Sequence, residues 1–273
     1  CDCCKKHFCG EKHIKAHERS CFPSTEDLST EEVEHIEKLA INLKEASLET
    51  FCETLNELLQ WVRDEHGASE DSEREMERLQ DSKRSVFLQA EGLPSFISTL
   101  ERHHAQLSGT DHFNVMVVLV PLSNINEDAL SSIVEIDVCS VIVQCIRTCQ
   151  LNDVRDRLGY RQMISSMFHQ WLVVMPGSTA VRKQLMKSGA IKIIIQWLLD
   201  DYSTGRVEMD EISAETTLLL KELFKRDALT FLSWFSKHNF LCKTMLIETG
   251  GLHAAATIIK ENWGDAVIRQ CCK

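Results

Sequence analysis

The sequence predicts an all-α chain assembled from repeated helical units, and three observations lead there. First, apolar segments at 93–100, 191–199 and 252–259 each follow a short turn carrying Gly: Ala90-Glu91-Gly92-Leu93, Ser188-Gly189-Ala190-Ile191 and Thr249-Gly250-Gly251-Leu252. Gly at such a junction suits a chain that leaves one helix in a left-handed cap and enters the next at a sharp angle. Second, a copy without Gly runs from Ile133 to Val138 and into Val141-Ile142-Val143 and Ile146. With Leu93, Val138, Ile191 and Leu252 taken as equivalent, the steps are 45, 53 and 61 residues, the spacing of helical solenoids with loop insertions in the later units. Third, only 4 Pro and 2 Tyr occur in 273 residues, and Leu, Ile, Val and Met dominate the apolar set.

The bulk composition narrows the function classes. A formal net charge of −11 argues against a general phosphate-binding surface, and so against nucleic acid as a main partner. No apolar run reaches the length of a membrane span, and no signal peptide is visible. The sequence begins at Cys1 without Met and stops at Lys273 inside an apparent helix, so the repeats are expected to continue in a longer chain. Of the 12 Cys, five (Cys1, Cys3, Cys4, Cys9 and Cys21) crowd the first 21 residues, and the rest fall among helical apolar positions. That scatter reads as reduced core thiols, hence an intracellular, cytoplasmic or nuclear chain.

In chain order, residues 1–22 form the first unit. Cys1 and Cys4 make a Cys-x-x-Cys knuckle, and His17 and Cys21 lie four apart on one helical face. Two knuckle thiolates, an imidazole and a third thiolate complete the tetrahedral N/S set that a structural Zn²⁺ takes. Phe8 and Ile14 would be its small core, and metal binding would supply the folding free energy of so short a segment. Cys3, Cys9 and His13 are alternative ligands at this stage.

Residues 23–66 are expected to form a helical hairpin that covers one end of the repeats. Ser29 with Glu32 makes a capping box, with Val33, Ile36, Ala40 and Leu43 on one apolar face. Ser47 caps a second helix striped by Leu48, Phe51, Cys52, Leu55, Leu58, Leu59 and Val62, and Gly67 ends it. Residues 67–83 read as an acidic linker and helix start. Repeats occupy 84–273, with an insertion at 203–210 and long helices at 112–122, 154–175, 211–226 and from Asp265.

The turn followed by an apolar helix resembles the armadillo repeat family, with HEAT repeats giving a similar pattern. That resemblance implies a right-handed α-solenoid whose third helices line an inner surface. It also implies a non-catalytic scaffold offering protein partners a long flank, within a larger eukaryotic hetero-complex, cytoskeletal or ciliary. The family's Asn ladder is not visible; the corresponding stretches read Met167-Phe168-His169-Gln170-Trp171-Leu172 and Leu220-Lys221-Glu222-Leu223. The run from His13 to Cys21 resembles the helix of small Cys-Cys-His-Cys fingers, including ubiquitin-binding ones. This implies a ubiquitin-pathway adaptor as the second reading, although Arg19 stands where those fingers carry a ubiquitin-holding acid. The finger itself is weakly basic: Lys5, Lys6, Lys12, Lys15 and Arg19 face Asp2, Glu11 and Glu18.

The sequence holds no Gly-x-Gly-x-x-Gly, Walker-type Gly-Lys-Ser/Thr, His-Glu-x-x-His or Gly-x-Ser-x-Gly run. Adjacent helical residues point about 100° apart, so His103-His104 reads as a solvated helix end. His169 reads as a hydrogen-bonded or exposed residue, and Trp61, Trp171, Trp197, Trp234 and Trp263 as packing residues.

Overall fold

The computed structural model describes residues 28–63, 70–123, 135–174, 179–200, 211–237 and 239–261. Among these there are 12 α-helices and no strand. The chain divides into two compact units. One contains the described residues up to Gln106 with 117–136; the other contains 107–116 and the described residues from Asp137 onward.

In the first unit, α1 (Thr30–Leu43) opens on the expected capping box. The Glu32 amide donates to Ser29 Oγ at 3.2 Å, and the Ser29 amide donates to the Glu32 carboxylate at 3.0 Å. These bonds hold the Glu32 carboxyl below the usual carboxylate range. Helix α2 (Leu48–Arg63) starts where Ser47 Oγ accepts from the Thr50 amide. Helix α3 (Glu70–Gln89) is followed by α4 (Gly92–His103). The carbonyls ending α1 need partners that no Gly cap supplies. They find them on α4: Thr99 Oγ1 donates to Leu43 O, Arg102 donates to Lys44 O at 3.0 Å, and His103 Nε2 meets Ala46 O at 3.1 Å. His103 is therefore no solvated helix end, as the sequence suggested, but a tie across the α1–α2 turn. Phe51 packs on Phe96 with ring centroids 5.3 Å apart, and Trp61 meets the Phe87 ring edge-on.

Helix α5 (Gly109–Ser123) starts three residues before the expected 112. Ser108 and Asp111 form a second capping box: the Asp111 amide donates to Ser108 Oγ and the Ser108 amide donates to the Asp111 carboxylate, both at 3.1 Å. In the second unit, α6 (Val138–Thr148) precedes α7 (Val154–Val174), α8 (Thr179–Ser188) and α9 (Ala190–Asp200). After them come α10 (Glu211–Ser236), α11 (Phe240–Glu248) and α12 (Gly251–Glu261). The two long helices α7 and α10 pack side by side. Along their seam Gln162 donates to Asp227 at 2.8 Å, and Phe168 lies 5.8 Å from Phe231. Helix α10 runs to Ser236, ten residues past the expected 226. Buried Arg182 of α8 satisfies its last turn by donating to Trp234 O and Phe235 O, each at 3.3 Å.

The four turns share one backbone device. A residue with positive φ stands just before α4, α6, α9 and α12: Glu91 at 58°, Asp137 at 49°, Gly189 at 84° and Gly250 at 82°. Its carbonyl then accepts the first helical bond of the next helix, from Ser95, Ser140, Ile193 and Ala254 respectively.

This geometry corrects the sequence reading at three points. At the first turn the left-handed residue is Glu91 and not Gly92. Gly92 is needed for a different reason: a Cβ there would lie 2.6 Å from the buried Phe87 ring. In the copy without Gly, Asp137 is the pivot, so Cys139 and not Val138 takes the place of Leu93 and Ile191, and all three are fully buried. Leu252, expected to begin a core segment, is 61% exposed, and Ala254 and Ile258 are buried instead. The expected features at Gly67, 203–210 and the helix from Asp265, together with Ile133 and Trp263, lie outside the described residues.

Candidate functional site

The expected zinc ligands Cys1, Cys4, His17 and Cys21, and the alternatives Cys3, Cys9 and His13, lie outside the described residues. Among the described residues, no group of three His, Cys, Asp or Glu side chains is placed to hold a metal ion. Burial pushes Cys145 up to about 12 and Cys149 up to about 11, and Cys139 higher still. All three remain protonated at neutral pH, which makes them weak nucleophiles.

His169 is half-buried against Trp234, ring centroids 6.1 Å apart, and its Nε2 has no hydrogen-bond partner. Burial lowers its pKa, and Asp227 opposes that shift. The sequence reading of a hydrogen-bonded or exposed side chain fails at Nε2, which is buried and unpartnered. Four of the five Trp lie in described helices. Trp61, Trp171, Trp197 and Trp234 meet Phe87, Phe168, Phe224 and His169 respectively, as packing residues do.

Two features of the second unit can recognise another molecule. The first is a surface of α8, α9 and α11. Asn239 caps α11 by accepting from the Cys242 amide at 3.1 Å. Cys242 and Leu246 anchor the helix inward. The rest of this short, nearly all-apolar helix faces solvent: Phe240 is 79%, Leu241 68% and Ile247 60% exposed, and Leu252 of α12 adds a fourth apolar side chain. Beside them is a recess of about 730 Å³, where Leu241, Met245 and Met186 meet the cations Lys183, Lys187 and Lys192 and the single acid Glu248. An excess of cations here reverses the sign of the chain's net charge of −11.

The second feature is a smaller, more polar recess of about 370 Å³ between the end of α6, the first turns of α7 and Trp197 of α9. The loop 149–152 forms its rim because α5 crosses it at Gly109, where a Cβ would overlap the Gln150 carbonyl oxygen. Arg157, Tyr160 and Arg161 of α7 enter it from one helical face, and the Arg161 guanidinium lies 5.4 Å from the Trp197 ring centroid.

Sequence reading missed both surfaces. Phe240-Leu241 carries no motif of its own, and Arg157-x-x-Tyr160-Arg161 lies within the expected long helix 154–175. A cue was present in the second case: two Arg and one of the chain's 2 Tyr at i, i+3 and i+4 share a face. No helix among the described residues is long and apolar enough to cross a membrane. No protein-family model, curated protein or solved structure matches the chain.

Proposed function

We propose that this chain is a non-catalytic protein–protein interaction scaffold, a subunit or adaptor of a larger intracellular eukaryotic assembly, cytoskeletal or ciliary. Residues 84–273 stack as an armadillo- or HEAT-like right-handed α-solenoid, the hairpin 23–66 covers one end, and Cys1, Cys4, His17 and Cys21 hold a structural Zn²⁺. The four recurring left-handed junctions support the repeat reading.

One observation supports the interaction reading above the others: exposed Phe240, Leu241, Ile247 and Leu252 lie beside a lysine-lined recess. Isolated apolar side chains on a surface need no explanation, but aromatic and aliphatic anchors clustered beside a charged rim are the anatomy of a docking site. The partner it suits is a polypeptide with an apolar anchor and acidic flanks.

The test is recovery of partners from the native source with the full chain. A partner should be captured by the wild-type chain and lost with Phe240→Asp/Leu241→Asp, while the circular dichroism spectrum is unchanged. Equal capture by both chains would defeat the reading. Small-angle scattering tests the solenoid separately: a stack of helices exceeds the radius of gyration of about 18–19 Å expected of a compact chain of this length. The finger is tested by metal analysis, with one zinc per wild-type chain and none in Cys21→Ser.

A ubiquitin-pathway adaptor is the second reading, favoured by the spacing of the four proposed ligands. Absence of any shift when labelled ubiquitin is titrated with residues 1–30 and zinc would remove it.

A further inference from the structure

We propose that the recess between α8, α9 and α11 receives an amphipathic α-helix of a partner protein, its apolar stripe inward and its acidic residues against Lys183 and Lys192. That the occupant is a polypeptide rests on the scaffold reading; that it is helical follows from how the recess is lined.

The walls are two helical faces. Leu241, Thr244, Met245 and Glu248 of α11 stand at i, i+3, i+4 and i+7, and Lys183, Met186 and Lys187 of α8 at i, i+3 and i+4. Each set is a single stripe along its helix. The two helices meet where Cys242 Sγ lies 4.0 Å from Met186 Sδ, and the start of α9 brings Lys192 to the edge. From Leu241 to Glu248 the α11 wall runs about 10 Å, the length of two turns of an incoming helix. Over that length a helix presents apolar anchors at i, i+3 or i+4, and i+7. Leu241, 68% exposed, and the flexible Met186 and Met245 can adapt to anchors of different shape.

The lining also decides between a helix and an extended chain. An extended peptide brings unpaired N–H and C=O groups that its host must satisfy, as a strand edge does when a peptide adds to a sheet. There is no strand among the described residues. The described lining holds two hydroxyls and no side-chain amide. Thr244 Oγ1 donates to Phe240 O at 3.1 Å and Thr249 Oγ1 to Met245 O at 2.7 Å, so both protons are engaged within the chain itself. The donors that remain are lysine amines, which suit carboxylates. A helix satisfies its own backbone and asks of the recess only apolar contact and charge.

Charge sets the flanks. Lys187 lies 3.5 Å from Asp137. Lys183 and Lys192 are exposed and enter no ion pair among the described residues, so they are the cations left for a partner. Glu248 opposes them from α11. On a chain of net charge −11 an acidic helix is repelled by most of the surface and is steered to this face.

The experiment is selection from a displayed library of peptides of about eighteen residues against the full chain. Half of the library carries apolar residues at the helical period, and half carries the same composition at a period of two. Helical-period peptides with Glu or Asp beside the stripe should be enriched, and a synthetic copy of the foremost should bind the full chain in solution. Proline at its centre should weaken binding at least tenfold, and Lys183→Glu/Lys192→Glu at least fivefold. Ile41→Asp, at an exposed position of the first unit, should leave binding unchanged. The Cα chemical shifts of the isotope-labelled peptide should move to helical values when it binds. Enrichment of period-two peptides that are lost with Leu241→Asp overturns the helix and leaves the docking reading standing. Enrichment no greater than that on Phe240→Asp/Leu241→Asp overturns the helix site, while capture from the native source still tests the docking reading by itself. Equal binding of a copy whose acids are changed to lysine overturns the charged flanks. Leu241-dependent binding to phosphatidylserine vesicles in place of any peptide assigns the face to lipid, and a Leu241-dependent dimer in sedimentation equilibrium assigns it to a second copy. Either result overturns the partner helix.

Discussion

The junctions at Gly189 and Gly250 do with glycine what those at Glu91 and Asp137 do with side chains, and the difference shows what the fold requires at a turn. All four residues adopt positive φ and pass their carbonyl to the next helix. For glycine this conformation is free of Cβ crowding; for other residues it costs roughly 1–2 kcal/mol. Asp137 has local compensation, since Ser140 Oγ donates to its carboxylate at 3.0 Å and Lys187 lies 3.5 Å away. Glu91 has only an exposed pair with Lys44 at 3.0 Å, a contact of small worth. The helix-to-helix angle is therefore imposed by packing on both sides of the turn, and glycine eases it without being its cause.

Substitutions can break this comparison, beginning with the glycines that are not pivots. Gly109→Ala should destabilise the fold most, by about 3 kcal/mol, because a Cβ would collide with the backbone carbonyl of Gln150 rather than a movable side chain. Gly92→Ala should cost about 2 kcal/mol, since the Phe87 ring it meets is fully buried. Urea unfolding curves give both values, and a cost below that of an average surface substitution at Gly92 would mean the ring can step aside. At the pivots the sign should separate the two classes. Glu91→Gly should stabilise by about 0.5 kcal/mol, relief of the left-handed backbone exceeding the lost Lys44 pair. A destabilised Glu91→Gly would show that its side chain, and not the backbone, matters at that turn.

The smallest effect concerns pH. Burial lowers the His169 pKa in the folded chain, so the unfolded chain takes up the proton first as pH falls. Stability contributed by the neutral imidazole is complete above the unfolded value of about 6.5 and declines below it. His169→Gln should flatten the decline in melting temperature between about pH 6.5 and 5. An unchanged slope would assign that decline to other groups.

Local signals were legible in the sequence and tertiary ones were not. The Ser29–Glu32 box could be read because both partners lie within one turn of each other. The box at Ser108 and Asp111 is equally local, but its third residue is Asp where the usual box pattern has Glu or Gln, so the pattern does not mark it. The positions of α4, α6, α9 and α12 followed from the apolar segments, yet the Asp137 register was off by one, since nothing in the sequence says which residue of a glycine-free turn takes positive φ. Gly92 was assigned the wrong role because its real constraint is a ring five residues back, visible only once the turn is closed. The polar recess was illegible for a related reason: Cys149, Tyr160 and Trp197 come from three different helical segments. The exposed α11 is hard to read because its six apolar residues of nine fall on both its buried and its exposed sides, so the sequence does not say which of them face solvent.

The most direct test of the shared junction is Gly250→Ala, measured by equilibrium urea unfolding. A Cβ at this position has open space around it, with nothing within 4 Å, so the substitution reports the backbone conformation alone. The account predicts a loss of about 1 kcal/mol, from an Ala side chain held at positive φ. Unchanged or increased stability, the usual result of replacing glycine where alanine fits, would contradict a left-handed pivot there and with it the repeated junction.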